Sequence, residues 1–364
     1  MSYKYNTNCL KCSTVAIFML LFQYAYSQSS FPGLDKIITD KQRIIGQDLV
    51  VIIAKEDSIV YQKAFSAFNA KTVAPIASCS KWLTAALIMQ LADEGKLSLD
   101  DKVSRYLPIF ESYGKNYITI RHCLSHMTGI QSEPIKILKL LERKKYNSLE
   151  EEVNEFAKKE IQNNPGTEFR YSNIGLNIAG RIAEVVTKKK FDLLIRQRLF
   201  IPLGMRQTTF STLDGSAVNP SGGAKSTATD YSRFLQMMLN NGIFNGQKIL
   251  SEAAIQEMKK VHANADQIKY APKSAEGFEY ALGSWSLTSL IPGPSPATPE
   301  RGTATAQALA SPGLFGTWPM VEYCRGYTAI FFVKNFLGEQ KADVYLEIKK
   351  VIDEQFKSDC TSIR

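Results

Sequence analysis

The stretch Ser78-Cys79-Ser80-Lys81-Trp82-Leu83-Thr84-Ala85-Ala86-Leu87-Ile88-Met89-Gln90-Leu91 decides how the rest of this chain is read. From Trp82 onward it is almost wholly apolar, which predicts a helix buried on every side, ending near Glu94-Gly95. A serine hydroxyl is a poor nucleophile near neutral pH because its proton is held tightly. An amine three residues on, sharing the same helix face, can accept that proton, and the field at a helix N-terminus favours the negative charge that develops. Ser78 also fits a helix-capping position, but Lys81 stands where a capping box carries Glu or Gln. A lysine entering a buried helix needs a partner or a shifted pKa. Spacing alone does not suffice, since Ser112-Tyr113-Gly114-Lys115 repeats it in a Gly-broken polar stretch.

The segments around this helix set compartment and class. Residues 1–27 carry Lys4, Lys11 and no acid, then the apolar run Val15–Phe22 and a small-residue close at Ala25-Tyr26-Ser27. That is the layout of a signal peptide cleaved near Ser27, too short in its apolar part for a comfortable membrane span, and it predicts a periplasmic or secreted protein. Removing it takes two of 44 basic residues and none of 35 acids, leaving +7. The lysines are scattered, with no aromatic-interleaved basic stripe, so no nucleic-acid partner is expected, and no later stretch predicts a stable membrane span. Cys79, Cys123, Cys324 and Cys360 remain in an oxidising compartment with three possible pairings, Cys79 reading as a packed free thiol. His122, His126 and His262 are dispersed, no H-E-x-x-H or Cys/His cluster occurs, and no metal is expected. Oligomeric state is not legible.

Along the chain, Leu34, Ile37, Ile38, Ile44 and Ile45 approximate helical spacing, and Leu49–Ala54 and Ile59–Phe65 read as a strand pair. From about Leu107 to Val261 the pattern is mainly helical, with helices expected at Ile120–Ser125, Ser148–Glu160, Ile174–Thr187, Phe191–Leu199, Thr229–Asn240 and Glu252–Lys260. Strands return at Glu279–Ser286, Gly316–Tyr323 and Tyr327–Val333, with a Pro/Ala/Thr-rich loop over 291–306, and Val344 to Phe356 closes on an amphipathic helix. The expectation is an α+β fold: an antiparallel sheet built from both chain ends (28–107 and 262–364), flanked by terminal helices, with a helical domain (108–261) inserted.

A second informative stretch is Pro165-Gly166-Thr167-Glu168-Phe169-Arg170-Tyr171-Ser172-Asn173. A phenol near a lysine ammonium has its pKa lowered and can shuttle a proton, and an asparagine two residues on can donate to a substrate carbonyl while its oxygen accepts from the lysine. A turn tyrosine followed by a capping Ser or Asn is the simpler alternative.

With these residues in place, the chain resembles the serine hydrolases related to class C β-lactamases and D-alanyl-D-alanine peptidases. The resemblance runs through Ile76–Lys81 and Glu94–Pro108, Ile118–Ile130, the Tyr171 segment on to Pro202–Met205, and Gly222–Asp230. It implies the β-lactamase/transpeptidase-like fold, catalysis by Ser78, Lys81 and Tyr171, substrate contact from Asn173, and no cofactor. The family's third motif, Lys-Thr-Gly or His-x-Gly, aligns with Ser311-Pro312-Gly313, followed by Leu314. The glycine is kept and the cation is not. By the resemblance Leu314 and Ser78 supply the oxyanion amides, and Ser311 and Gly313 border the substrate. His126 and His122 read as structural. The expected substrate is a small ester, amide or peptide, with esters favoured over β-lactams and D,D-peptides because Ser311 brings no charge. A binding or sensing module that acylates without turnover is the alternative.

Overall fold

The computed structural model describes residues 31–133, 145–287, 306–334 and 341–360. The segment 1–27, expected to be a signal peptide, and nearly all of the 291–306 loop lie outside the described residues.

Helix α1 (Pro32–Ile45) leads into the hairpin β1 (Leu49–Lys55) and β2 (Ser58–Ala64). Helix α2 (Ser80–Asp93) is preceded by a 3₁₀ turn, Ala77–Cys79. The middle of the chain supplies α3 (Leu149–Lys158), α4 (Ile174–Thr187), α5 (Ala228–Leu239) and α6 (Glu252–Lys259), besides single-turn helices such as Ile120–Leu124. Five further strands follow: β3 (Glu279–Tyr280), β4 (Trp285–Ser286), β5 (Ala308–Ala310), β6 (Trp318–Glu322) and β7 (Tyr327–Val333), before α7 (Asp343–Asp353). They join the first hairpin in one antiparallel sheet ordered β2-β1-β7-β6-β5-β4-β3. The first and last strands of the chain thus pair with each other one strand in from the β2 edge, Leu49 opposite Val333.

The sheet is covered on both faces, and the period of two along a strand sorts side chains between them. Leu49, Val51 and Ile53 share a core with Leu34 and Ile38 of α1 and Ile348 and Ile352 of α7. Val50 and Ile52 face the other way, into a core with Leu83 and Leu87 of α2, Ile178 of α4 and Leu235 of α5. Each such fully buried side chain contributes about 1.5–3 kcal/mol through removal from water. Helix α2 is buried along almost its whole length, so it is the central post on which the helical side is built. It stops at Asp93, with Gly95 in the left-handed conformation (φ 68°) that ends such helices at no steric cost.

Two elements depart from the sequence reading. The strand expected over 279–286 is two short strands joined by a turn at Gly283 (φ 75°). A Cβ there would lie 2.9 Å from Lys81 O and 2.6 Å from Ala85 Cβ, so only glycine lets this hairpin tip rest on α2. Strand β5, Ala308–Ala310, was not anticipated, because alanine is a weak strand former and only the pairing with β4 and β6 extends it. Helix α4 has the bounds expected from its apolar periodicity. The helix expected over Phe191–Leu199 gives way to a π turn at Arg196–Phe200.

Candidate active site

Ser78 sits in the 3₁₀ turn rather than at a helix cap, and no side-chain cap bond is made at this helix start. The residue before it, Ala77, has φ 44°, an uncommon conformation for a residue with a Cβ. The turn is fixed by its neighbours: Tyr231 of α5 donates to Cys79 O at 2.8 Å, Ile76 N donates to Ala224 O at 3.0 Å, and Ala224 N donates to Ser80 Oγ at 3.1 Å. Ser78 itself is half-buried, while Cys79 and Lys81 are fully buried.

Lys81 points back along α2 toward Ser78. Its Nζ lies 3.3 Å from Ser78 Oγ, 3.1 Å from Asn173 Oδ1 and 2.9 Å from the carbonyl oxygen of Ser221. Among the described residues no carboxylate pairs with it, and burial pulls its pKa from 10.5 to about 7. A neutral amine has two N–H groups and one lone pair. The carbonyl of Ser221 and the amide oxygen of Asn173 are acceptors and take the two N–H groups, which leaves the lone pair for the Ser78 hydroxyl. In its neutral form Lys81 thus has its lone pair free for the Ser78 hydroxyl.

Tyr171 follows the short strand Phe169–Arg170, its N–H bonded to Tyr270 O at 3.1 Å. The Lys81 Nζ lies 4.7 Å from the centre of its ring. Burial pushes its phenol up, and a hydrogen bond with Ser78 pulls it part of the way back. The expectation of a lowered Tyr171 pKa is corrected here: desolvation of the buried phenol raises it, and this outweighs any help from Lys81. Behind Tyr171 stand His126, Phe169, Tyr280 and Trp285, in ring contact with it and with one another. His126 accepts from Ser172 N through Nδ1 (3.4 Å) and pairs through Nε2 with Tyr280 OH (3.1 Å), so it is a buried wall of the site. His122 closes a capping box with Thr119, a structural placement.

Asn173 occupies the N-cap position of α4 yet makes no side-chain cap; its Oδ1 is turned to Lys81 instead. Ser221 was not singled out from the sequence. It is wholly buried, its O accepts from Lys81, its Oγ donates to Asn173 O (2.7 Å), and its N–H donates to Asn177 Oδ1 (2.9 Å). Its only signal was its place beside Gly222-Gly223-Ala224, because a backbone acceptor leaves no mark in side-chain chemistry. The decoy is not brought in: Lys115 Nζ lies 3.4 Å from Tyr113 O.

The third stretch packs against the turn that carries Ser78. A Cβ on Gly313 would lie 2.4 Å from Ile76 O and 3.0 Å from Cys79 Sγ, so glycine is what allows the approach. Ser311 is 2% exposed and its hydroxyl donates to Gly283 O at 3.3 Å. Its side chain is thereby committed to the hairpin tip on α2. Leu314 is half-buried at the tip of the turn between β5 and β6. Lys225 pairs through its backbone with Pro75, and Arg325 is held by Glu322 and Asp353 at the β6–β7 turn.

A family profile described as Beta-lactamase matches residues 34–349. This chain belongs to the β-lactamase family of serine hydrolases. Penicillin-binding protein 4 of Amycolatopsis lactamdurans is 27% identical over 301 residues, 72% of this chain and 77% of that protein. A structure from Bacteroides dorei DSM 17855, provisionally named a β-lactamase, is 29% identical with a TM-score of 0.74, covering 89% of this chain and 99% of that one. EstCE1, a hydrolase with promiscuous acyltransferase activity, has a TM-score of 0.70 at 21% identity over 88% of this chain and 97% of its own; that likeness speaks to fold. The α+β fold of the family, an antiparallel sheet with helices on both faces, is the architecture seen here. Among the described residues no group of His, Cys, Asp and Glu is placed to hold a metal ion, and no helix is long and apolar enough to cross a membrane.

Cys324 and Cys360 are disulfide-bonded, and Cys79 and Cys123 are buried free thiols. Only one bridge of the three full pairings left open is formed, and Cys79 is the packed free thiol expected.

Proposed function

We propose that this protein is an exported acyl-serine hydrolase with a preference for small neutral esters over β-lactams and D,D-peptides. The observation that carries the acyl-serine part is the Lys81 amine, which meets two acceptors, the Ser78 hydroxyl and, among the described residues, no carboxylate. In this reading Lys81 takes the Ser78 proton as Oγ attacks the carbonyl carbon. The amides of Ser78 and Leu314 receive the oxyanion, and Asn173 Nδ2 holds the acyl side of the substrate. Tyr171, kept protonated by burial, donates to the leaving group and regains a proton from Lys81. Water then attacks the acyl-enzyme along the same path in reverse.

The ester preference rests on Ser311. β-Lactams and cell-wall peptides carry a carboxylate near the scissile amide, and a charge-assisted hydrogen bond is about twice as strong as a neutral one. Ser311 has no charge, and its hydroxyl is already donated to Gly283 O. Forgoing a charged contact costs about 1.5–3 kcal/mol, or about tenfold to a hundredfold in kcat/KM, for substrates that need it and nothing for those that do not. Export is supported by the Cys324–Cys360 disulfide, which belongs to an oxidising compartment. Comparing kcat/KM for a p-nitrophenyl ester and a chromogenic cephalosporin tests the preference. The ester is expected to be the better substrate, with Ser311→Lys narrowing the gap; faster cephalosporin hydrolysis by the unaltered protein overturns it.

A further inference from the structure

The segment that carries Leu314 is held from two sides, and one of them is the last helix of the chain. Ser311 N donates to Pro319 O at 3.2 Å and Gly313 N to Thr317 O at 2.8 Å, so β5 and β6 continue as a ladder almost to the tip. The tip is closed by Gly316 N donating to Gly313 O at 3.0 Å, with Gly316 at φ 92°. In a four-residue turn of this kind Leu314 and Phe315 are the central pair. The closing bond uses the N–H of the fourth residue, so the Leu314 N–H has no acceptor within the turn. On the near side the turn rests on the nucleophile segment, through Gly313 against Ile76 and a Cys79 Sγ to Thr317 O contact of 3.5 Å.

On the far side stands Tyr345 of α7. It is 3% exposed, its hydroxyl donates to Gly316 O at 2.7 Å, and its ring stacks on Trp318 with centroids 4.3 Å apart and planes 13° apart. Phe331 of β7 meets the same ring edge-on at 5.7 Å. Burial pushes the Tyr345 phenol up, so it remains a donor. A turn gripped at the carbonyl of its fourth residue cannot rotate its central peptides freely, and the direction of the Leu314 N–H is what an oxyanion would sense.

We infer that Tyr345 is a positioning residue for acyl transfer: its hydroxyl, through Gly316 O, fixes the 313–316 turn so that the Leu314 amide points at the oxyanion. The inference rests on the acyl-serine reading given above. An amide misaimed by a fraction of an ångström still binds substrate but stabilises the transition state less, so the effect falls on kcat.

The test is a double-mutant cycle on the full chain with a p-nitrophenyl ester. Tyr345→Phe keeps the stack on Trp318 and removes only the hydroxyl. Leu314→Pro removes the amide N–H at a turn position where proline is well tolerated. Tyr345→Phe alone is expected to lower kcat about tenfold with KM within about twofold, and Leu314→Pro to lower it about a hundredfold or more. In the Leu314→Pro background the tyrosine change is expected to lower kcat no further. A Tyr345→Phe protein with a reduced melting temperature and unchanged kcat overturns the inference, as does an equal loss in both backgrounds. An unchanged kcat in Leu314→Pro overturns the oxyanion assignment itself and the inference with it. Absence of Ser78 acylation overturns the wider reading.

Discussion

Lys81 is the residue whose charge the account depends on, and its titration leaves a mark on stability as well as on rate. The perturbation is Lys81→Met, which keeps the length of the side chain and removes the amine. In the folded protein the amine has a pKa near 7, against an ordinary 10.5. Between those values the unfolded chain binds a proton that the folded chain does not, so the folded state gains stability as pH rises from about 7 towards 10.5. The slope approaches about 1.4 kcal/mol per pH unit, and the whole span corresponds to about 5 kcal/mol. Methionine escapes that desolvation cost but strands the Ser221 carbonyl and the Asn173 amide oxygen, at about 1–3 kcal/mol each. At pH 7 the two effects nearly cancel, so the net stability change there decides nothing. The slope decides.

Urea unfolding of both proteins at intervals from pH 7.5 to 9.5 is the assay. The stability of the unaltered protein minus that of Lys81→Met is expected to rise by about 2–3 kcal/mol over this range. The buried thiols Cys79 and Cys123 are pushed up in both proteins and drop out of the difference. In parallel, log kcat/KM for an ester is expected to climb with unit slope below about pH 7 and level off above it, as Lys81 loses its proton. His126 does not supply that limb, because burial and the neighbouring Lys81 hold it well below its ordinary pKa. A stability difference that is flat with pH, or an acid limb far from neutrality, refutes the assignment of Lys81 as the base.

Two further outcomes are expected. Gly313→Ala places a methyl 2.4 Å from Ile76 O, so the turn must retreat from the nucleophile; kcat/KM should fall about a hundredfold and stability by about 1–3 kcal/mol, read by ester kinetics and urea unfolding. N-terminal sequencing of exported protein should begin near Gln28, and a start well before Ala25 replaces cleavage with a retained anchor.

The parts of the site legible in the sequence are those whose chemistry lies in side chains at short spacing. Ser78 and Lys81 are three apart at the start of a helix that nothing but a core can accommodate, and the Tyr171-Ser172-Asn173 run carries its own polar groups. The fold was legible where periodicity was strong, as in α4 and β7, and in the placing of strand pairs at the two ends of the chain. What was missed depends on contacts between distant segments. Ser221 acts through a carbonyl that any residue possesses. Gly283 matters because its hairpin tip lands on Lys81 O, two hundred residues away in sequence by rough count. Ala77 takes an unfavourable φ that no local pattern announces. The Tyr171 pKa runs opposite to the sequence expectation because desolvation, which no local pattern reveals, dominates over the neighbouring lysine.

The central claim is that Ser78 forms the acyl-enzyme. Incubation with a fluorophosphonate probe or a slowly hydrolysed ester, followed by mass spectrometry of the digested protein, tests it most directly. The account predicts a single adduct on the peptide containing Ser78, abolished in Ser78→Ala and retained in Ser112→Ala. An adduct that persists in Ser78→Ala, or one found on Ser112, contradicts it.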